Sequence, residues 1–473
     1  MNALVWERRR FLGAGVGAVA GALGLAATAG CDSSASDPDP LRGVPVREPS
    51  WHTRVDGYVG HIEVRRDRVF GACSGTGLVL LDRANGRQVG QVPAPAAVHA
   101  AAPNAQYLVG APSREVRVGV RSVDTATLAG RWAVELPGTE NAYDVAAVAD
   151  ADTVYVAVPT SASPYPARSA DDDRPFPAPL YAVDAADGRT RWTARTMGAL
   201  SVAPTGDAVC FVDDSRTLVA VHRTTGEKRW TAPLFAPGSN PAAGSLSKHT
   251  FLAVGDTVYV SGPGDGLLRA LDGATGQLKW TFTVPPTAAP FPGDRAATRP
   301  PLRGLGPRPT GALPTKYAAP TVVDGTVYLA VGYALHAVDA ATGTARWSTP
   351  TTGPHTVAPV VAGDLVVTAA GYHLVYGDDG GTDDDGDVYA LDAATGRPRW
   401  QFHTGSVVTE LTAVPGGIAV SWDGNWCVLD AATGRPMWRI PVFDKTRKHP
   451  FSTTVSDGFA YIHLDQDIAA VPL

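Results

Sequence analysis

The stretch YALDAATGRPRW, Tyr389–Trp400, returns as CVLDAATGRPMW at Cys427–Trp438, and an earlier version, YAVDAADGRTRW, occupies Tyr181–Trp192. A segment used once could be a catalytic loop, whereas one used repeatedly is a structural part. Take the Asp before the turn as position zero. Asp184, Asp272, Asp339, Asp392 and Asp430 each have Gly four places on and Trp eight places on: Gly188/Trp192, Gly276/Trp280, Gly343/Trp347, Gly396/Trp400 and Gly434/Trp438. His222 takes the Asp place in a sixth copy, with Gly226 and Trp230 in register. Asp124 keeps Trp132 but has Leu128 for the Gly, and Asp82 keeps Gly86 but has Gly90 for the Trp.

Each copy is preceded by the same pattern. Runs such as GDTVYV (Gly255–Val260) and DGTVYL (Asp324–Leu329) are β-branched and apolar and are entered through Gly/Asp turns, so they read as strands. A second short run, such as VYALD, is the next strand. In the turn that follows, Asp can accept backbone N–H bonds and Gly supplies positive φ. The Trp strand then offers a large apolar body for burial against a neighbour, with its indole N–H bonded to an acceptor. Four short strands per unit around a ring make an all-β fold, a β-propeller. The shortest spacing between equivalent glycines, Gly188 to Gly226 and Gly396 to Gly434, suits one blade.

The pattern A-x-D-x-x-T-G-x-x-x-W resembles the tryptophan-docking motif of the pyrroloquinoline-quinone (PQQ)-like propeller family, and it spans nearly everything after residue 50. The two ends imply closure. HPFSTTVSDGFAYIHLDQDIAAVPL, after Trp438, supplies three strands without a Trp strand, while EPSWHTRV (Glu48–Val55) is a Trp strand with nothing before it. Together they predict one blade shared between the termini. Eight motif copies plus this blade make nine. The resemblance implies eight or fewer, so eight blades are expected, with nine as the alternative.

Residues 1–31 read as an address. Arg8 and Arg9, followed by Phe11 and Leu12 and a soft Gly/Ala/Leu/Val run, resemble a twin-arginine export signal; a transmembrane anchor is the other reading. ATAGC (Ala27–Cys31) resembles a lipoprotein cleavage site with Cys31 as the lipidated residue, although Thr28 stands where an aliphatic residue is usual. Residues 32–47 then read as a polar tether and 48–473 as the propeller. The expected place is the outer face of the cytoplasmic membrane, held by the N-terminal lipid, or else outside the cell as a secreted protein.

Composition bounds the chemistry. Charged residues are 18% of the 473 and the net charge is −6, so there is no basic surface to hold nucleic acid. Cys73, Cys210 and Cys427 are far apart, with no CxxC, and read as buried thiols in strands. The resemblance implies two branches. Quinone-dependent dehydrogenases carry a vicinal Cys–Cys ring and hold PQQ with calcium in the propeller centre; this chain has no adjacent cysteines. The non-catalytic branch includes the lipoprotein that helps assemble outer-membrane β-barrels, and sensor-like ectodomains. The expectation is therefore a tethered scaffold without cofactor that binds an envelope protein or surface ligand, with a PQQ-dependent or other propeller oxidoreductase as the alternative.

The insertions point to a place for binding. Ser161–Ala178, Phe235–Lys248, Pro285–Lys316 and Tyr372–Asp387 all fall between strands two and three of a unit or between units, whereas the Asp–Gly turns are uniformly short. In a four-stranded blade these two classes of connection lie on opposite faces, and loops that vary on a rigid scaffold are where binding resides. Arg295, Arg299, Arg303, Arg308 and Lys316 make one insertion cationic, fit for an acidic partner or for solvent. GDDGGTDDDGD (Gly377–Asp387) is either an acidic solvated hairpin or, through Asp383, Asp385 and Asp387, a weak calcium candidate. His249, His355, Glu410 and His449 are the polar residues expected near the channel mouth.

Overall fold

The computed structural model describes residues 39–473 apart from positions 75, 94–97, 103–104, 111–116, 140–144, 159–177, 197–201, 213–216, 234–250, 263–265, 286–318, 352, 354, 356, 377–380 and 442–451. The chain divides into Met1–Asp39 and Pro40–Leu473, and every strand among the described residues belongs to the second unit. No described helix is long and apolar enough to cross a membrane. The described residues form nine antiparallel sheets of four strands, so the ring has the alternative count of nine rather than the expected eight. The sequence motif had not been miscounted: each of its eight copies lies in its own blade, and the ninth blade is the shared one.

Blade 1 runs from the inner strand a, Val59–Arg65, through b, Arg68–Cys73, and c, Gly77–Asp82, to the outer strand d, Gln88–Val92. Blades 2 to 8 repeat this order over residues 98–135, 146–196, 202–233, 251–283, 321–350, 360–403 and 408–439. The a strands of blades 2, 3, 4 and 5 touch in succession, as do those of blades 7, 8, 9 and 1, which places them at the ring's centre. Nine apolar clusters fill the seams, one for each pair of neighbouring blades. At seam 8/9, for instance, Trp426, Val428 and Trp438 meet Ala460, Ile462 and Val471. Both faces of each sheet are thus buried, which is why the b and c strands read as continuous apolar runs rather than alternating ones.

Blade 9 contains Ser452–Ser456, Phe459–Leu464 and Asp467–Pro472 as a, b and c. Its d strand is Trp51–Arg54, paired antiparallel from Trp51↔Ala470 to Arg54↔Asp467, so the two ends of the chain close the ring as expected. The residues just before this strand, read from sequence as tether, also lie on the ring. Leu41 is buried in the core of seam 7/8, and Val46 bridges Arg439 in parallel. The Arg47 guanidinium lies 4.1 Å over the Trp438 ring and donates to the Pro472 carbonyl at 2.8 Å. A physical reason is at hand: blade 9 is cut between c and d, so it has no Asp–Gly turn to cover Trp438, and Arg47 covers it instead.

Candidate functional site

The Asp–Gly turns have one geometry. The glycine N–H donates to the carbonyl of the position-zero residue at 2.8 Å for Gly276, Gly343, Gly396 and Gly434. Asp272, Asp339, Asp392 and Asp430 each accept, through Oδ1, from the amide and hydroxyl of the Thr three places on. His222 substitutes by presenting Nδ1 to Thr224, 2.9 Å from its hydroxyl. Between c and d the register shifts by one residue just before the Trp. This bulge turns the residue preceding the Trp back over the Asp: Arg191 reaches Asp184 at 2.8 Å, Arg346 reaches Asp339 at 2.7 Å and Arg399 reaches Asp392 at 2.6 Å. Arg346 and Arg399, with the Thr bonds, pull the carboxyls of Asp339 and Asp392 down to about 2.

Each bulge also aims its Trp across the seam. Trp132, Trp192, Trp230, Trp280, Trp347 and Trp400 donate their indole N–H to the carbonyls of Ala185, Arg223, Gly273, Ala340, Ala393 and Ala431 in the next blade, at 2.7–3.1 Å. The indole lies flat on the turn glycine: a Cβ at Gly188, Gly226, Gly276, Gly343, Gly396 or Gly434 would stand 2.5–2.7 Å from it. Trp51, which the motif count left outside, docks the same way on Gly86 and donates to Arg83. Trp438 does not; it packs on Trp426, centroids 5.4 Å apart, under Arg47. At seam 1/2 the partners are exchanged. Leu128, held at φ +61°, occupies the space over Gly90, where a Cβ would meet its Cδ1 at 2.5 Å. The Trp positions are therefore mortar, and the turn face is largely committed to holding blades together.

The opposite face carries the b–c and d–a connections. Residues 161–178 join b to c in blade 3, 235–248 and 285–316 lead from blade 4 to 5 and from blade 5 to 6, and 372–387 join b to c in blade 7. The strand ends that bear all four insertions thus share one face, as expected. The cationic residues Arg295, Arg299, Arg303, Arg308 and Lys316, together with His249 and His449, lie outside the described residues, as do Arg8, Arg9, Phe11, Leu12 and Cys31. The blade 7 insertion is a β-ribbon, Leu365–Tyr376 with Gly381–Asp392, each twelve residues long where strands of other blades have about six. Its neck is a cross-strand pair, Gly371↔Gly386, against which Gly353 and the Ser406 carbonyl pack. Asp385 pairs with Tyr372 and Asp383 with Leu374 in register. Asp387 is buried, accepting from the Tyr389 hydroxyl at 3.1 Å and facing His403 Nδ1 at 3.1 Å. No group of three metal-ligand side chains occurs among the described residues.

The remaining candidates at the channel mouth turn inward. His355 is 2% exposed, with Nε2 3.0 Å from the Thr351 hydroxyl and Nδ1 3.0 Å from that of Thr368; burial pushes it down to about 3. Glu410, on strand a of blade 8, accepts from the Thr453 amide at 2.9 Å and its hydroxyl at 3.2 Å, stapling blade 8 to blade 9, and burial raises its carboxyl above the ordinary range. Glu410 thus links two blades, and His355 ties the connection from blade 6 to blade 7 onto strand b of blade 7. His336, missed in the sequence, is buried beside Phe282 of blade 5 with Nδ1 on Ser348 and is pushed down to about 4. Nothing in its local sequence signals this, since Phe282 belongs to another blade and Ser348 to the next strand of its own. Cys73, Cys210 and Cys427 are free and buried, as read, with their thiols raised by burial.

Comparison with known proteins now has a geometry to attach to. The family model described as outer membrane protein assembly factor BamB matches residues 178–304 and 305–457. Among solved structures, BamB from Moraxella catarrhalis is 18% identical with a TM-score of 0.48, covering 90% of this chain and 100% of that one. The computationally designed Ika8 protein is 12% identical with a TM-score of 0.50, covering 90% and 100%. A quinohemoprotein alcohol dehydrogenase, ADHIIG from Pseudomonas putida HK5, is 13% identical with a TM-score of 0.49, covering 90% and 76%. At 12% identity the likeness to Ika8 bears on the fold alone. A stretch of 140 residues, 30% of this chain, is 32% identical to the serine/threonine-protein kinase AfsK of Streptomyces griseus, of which it covers 14%. With two family matches spanning more than half its length and nine four-stranded blades, the chain belongs to the PQQ-like β-propeller family whose model is described as outer membrane protein assembly factor BamB.

Proposed function

We propose that this chain is an exported propeller, anchored through a lipid on Cys31 at the outer face of the cytoplasmic membrane. There it serves as a non-catalytic scaffold for an envelope protein or surface ligand. The observation that carries the reading is the division of labour between faces. The c–d turns are short and occupied with docking, while the strand ends bearing all four long insertions lie on the other face. Binding energy available to a partner is set by side chains free to be desolvated against it, and those are concentrated where the scaffold is not using its own. His355 and Glu410, the polar groups expected near the channel mouth, are bonded to threonines.

The test uses the full chain in its own membranes. Labelling with a lipid precursor should mark the wild type and not Cys31→Ala. Variants with Phe235–Lys248 or Pro285–Lys316 shortened should keep the ring's melting temperature and lose the partners that wild type retains in a pull-down. Retention of the same partners by both shortened variants, or turnover of alcohols or sugars on adding PQQ and calcium, would contradict the proposal.

A further inference from the structure

At five seams on the turn face a Tyr, the third residue of strand b, stacks on a docking indole. At seams 5/6 and 6/7 Tyr259 on Trp280 and Tyr328 on Trp347 stand before Ala340 and Ala393. At the other three, Tyr461 stacks on Trp51, Tyr155 on Trp192 and Tyr107 on Trp132, with centroids 6.2, 6.1 and 5.8 Å apart. Facing each of these three is the residue after position zero in the next blade: Arg83, Arg223 and Ala185. These three are equivalent by two hydrogen bonds apiece. Their amides donate to Asp67, Asp207 and Asp152 carbonyls at 2.8–3.0 Å, and their carbonyls accept from Trp51, Trp192 and Trp132.

At two of the seams an arginine fills the space before the Tyr. Arg83 donates from Nε to the Tyr461 hydroxyl at 2.6 Å and from Nη1 to the Arg66 carbonyl at 2.8 Å, and it pairs with Asp457. Arg223 lies beside Tyr155, donates from Nη1 to the Gly206 carbonyl at 3.4 Å and pairs with Asp150 at 2.7 Å. At seam 2/3 the corresponding side chain is only the methyl group of Ala185. The space it leaves is an open cleft of about 460 Å³ whose lining includes Tyr107, Arg131, Ala151, Asp152, Ala185 and Arg191. Ala151 is the counterpart of Arg66 and Gly206, so the turn that supplies the carbonyl acceptor at the other two seams is present in the lining.

We infer that this cleft is a binding site for a small molecule bearing a guanidinium group, which takes the place that Arg83 and Arg223 fill in their own seams. The fold itself supplies the template: a planar cation beside a tyrosine ring, held by a turn carbonyl and a carboxylate at both seams and by the tyrosine hydroxyl as well at Arg83. The two arginines of the lining do not prevent this. Arg191 is committed to Asp184 and Asp152, at 2.8 and 3.5 Å, and Arg131 and Arg191 are balanced in number by Asp152 and Asp184. Asp152, whose side chain is 61% exposed, stands at the rim of the cleft, in the turn equivalent to those of Asp67 and Asp207.

The probe is agmatine, titrated calorimetrically into the full chain, with butylamine as the comparator lacking the guanidinium. Agmatine should bind one to one and more tightly than butylamine. Ala185→Arg should weaken it at least tenfold by filling the cleft, and should fold at least as stably as wild type, since an arginine is already accommodated at the two equivalent positions. Tyr107→Phe should weaken agmatine several-fold without changing the ring's melting temperature by more than a few degrees. Ala431→Arg, on the same face at seam 7/8, should leave the titration unchanged. No saturation in wild type, equal weakening by Ala431→Arg, unchanged binding in Ala185→Arg, or failure of Ala185→Arg to fold would each overturn the assignment.

Discussion

If docking indoles and turn glycines are complementary partners, the exchanged pair at seam 1/2 should be exchangeable back. Consider Gly90→Trp, Leu128→Gly and the double variant. In the first, the new Cβ would stand 2.5 Å from Leu128 Cδ1, and an indole cannot share that space, so overpacking costs about 3 kcal/mol or more. The second removes a half-buried leucine, at roughly 2–3 kcal/mol, offset by about 1 kcal/mol because glycine relieves the φ of +61°. The double variant rebuilds the plan of the other seams, with an indole over a positive-φ glycine, and should recover to within about 1 kcal/mol of wild type. The two changes would then couple by roughly 3–4 kcal/mol in the favourable direction, far above the ~0.5 kcal/mol expected of independent sites. Urea unfolding followed by tryptophan fluorescence and circular dichroism measures all four corners. Additive losses, with the double variant the least stable of the set, would refute the idea that the indole and glycine positions specify one another.

Other outcomes follow from the same geometry. Arg47→Ala removes a cation over Trp438 and a bond to Pro472, and should lower stability by about 2 kcal/mol in chemical denaturation, whereas Arg87→Ala on the exposed turn should change it by less than 0.5 kcal/mol. His336, His355 and His463 are held neutral by burial, at about 4, 3 and 4. Because these folded values lie below the ordinary 6.5, the unfolded chain takes up protons first as pH falls. Stability present above pH 6.5 should therefore be lost on the way to pH 4, at about 2 kcal/mol per histidine by pH 5; pH-independent urea midpoints between 7 and 5 would exclude the effect. Cys73 and Cys210, raised to about 11 and 12 with Cys427 raised further, should react with a thiol reagent only on unfolding, and rapid labelling of the native ring would show that these seams open.

How much of this could be read in the chain depends on the range of each interaction. The turn is local: Asp392, Thr395, Gly396 and Trp400 make their contacts with one another or with an equivalent neighbour, so their spacing alone gave blade, turn and docking. Even the closing blade was legible, because a Trp strand without predecessors and three strands without a Trp are complementary remainders. The blade count went astray when an expectation borrowed from relatives overrode the count of motifs. Long-range devices left no local trace. Arg47 covers Trp438 and reaches Pro472 across most of the chain, and the stretch around it reads as polar tether until its partners are known. His355 and Glu410 looked available because Thr368 and Thr453, which help to hold them, lie 13 and 43 residues away in the chain. The cleft at seam 2/3 has no local signature: alanine follows Asp184 as it follows Asp339, Asp392 and Asp430, while Asp82 and His222 are followed by arginine.

The claim that recognition belongs to the insertion-bearing face can be tested by placing a photo-reactive residue on each face of the chain in its own cells. Tyr58, in the connection from blade 9 to blade 1 and 59% exposed, reports on the insertion face, while Leu278 and Val254 of blade 5, 57% and 41% exposed, report on the turn face. Illumination should give a defined partner adduct from position 58 that disappears when Pro285–Lys316 is shortened, and none from 278 or 254. Adducts from the turn-face positions with position 58 silent would contradict the account.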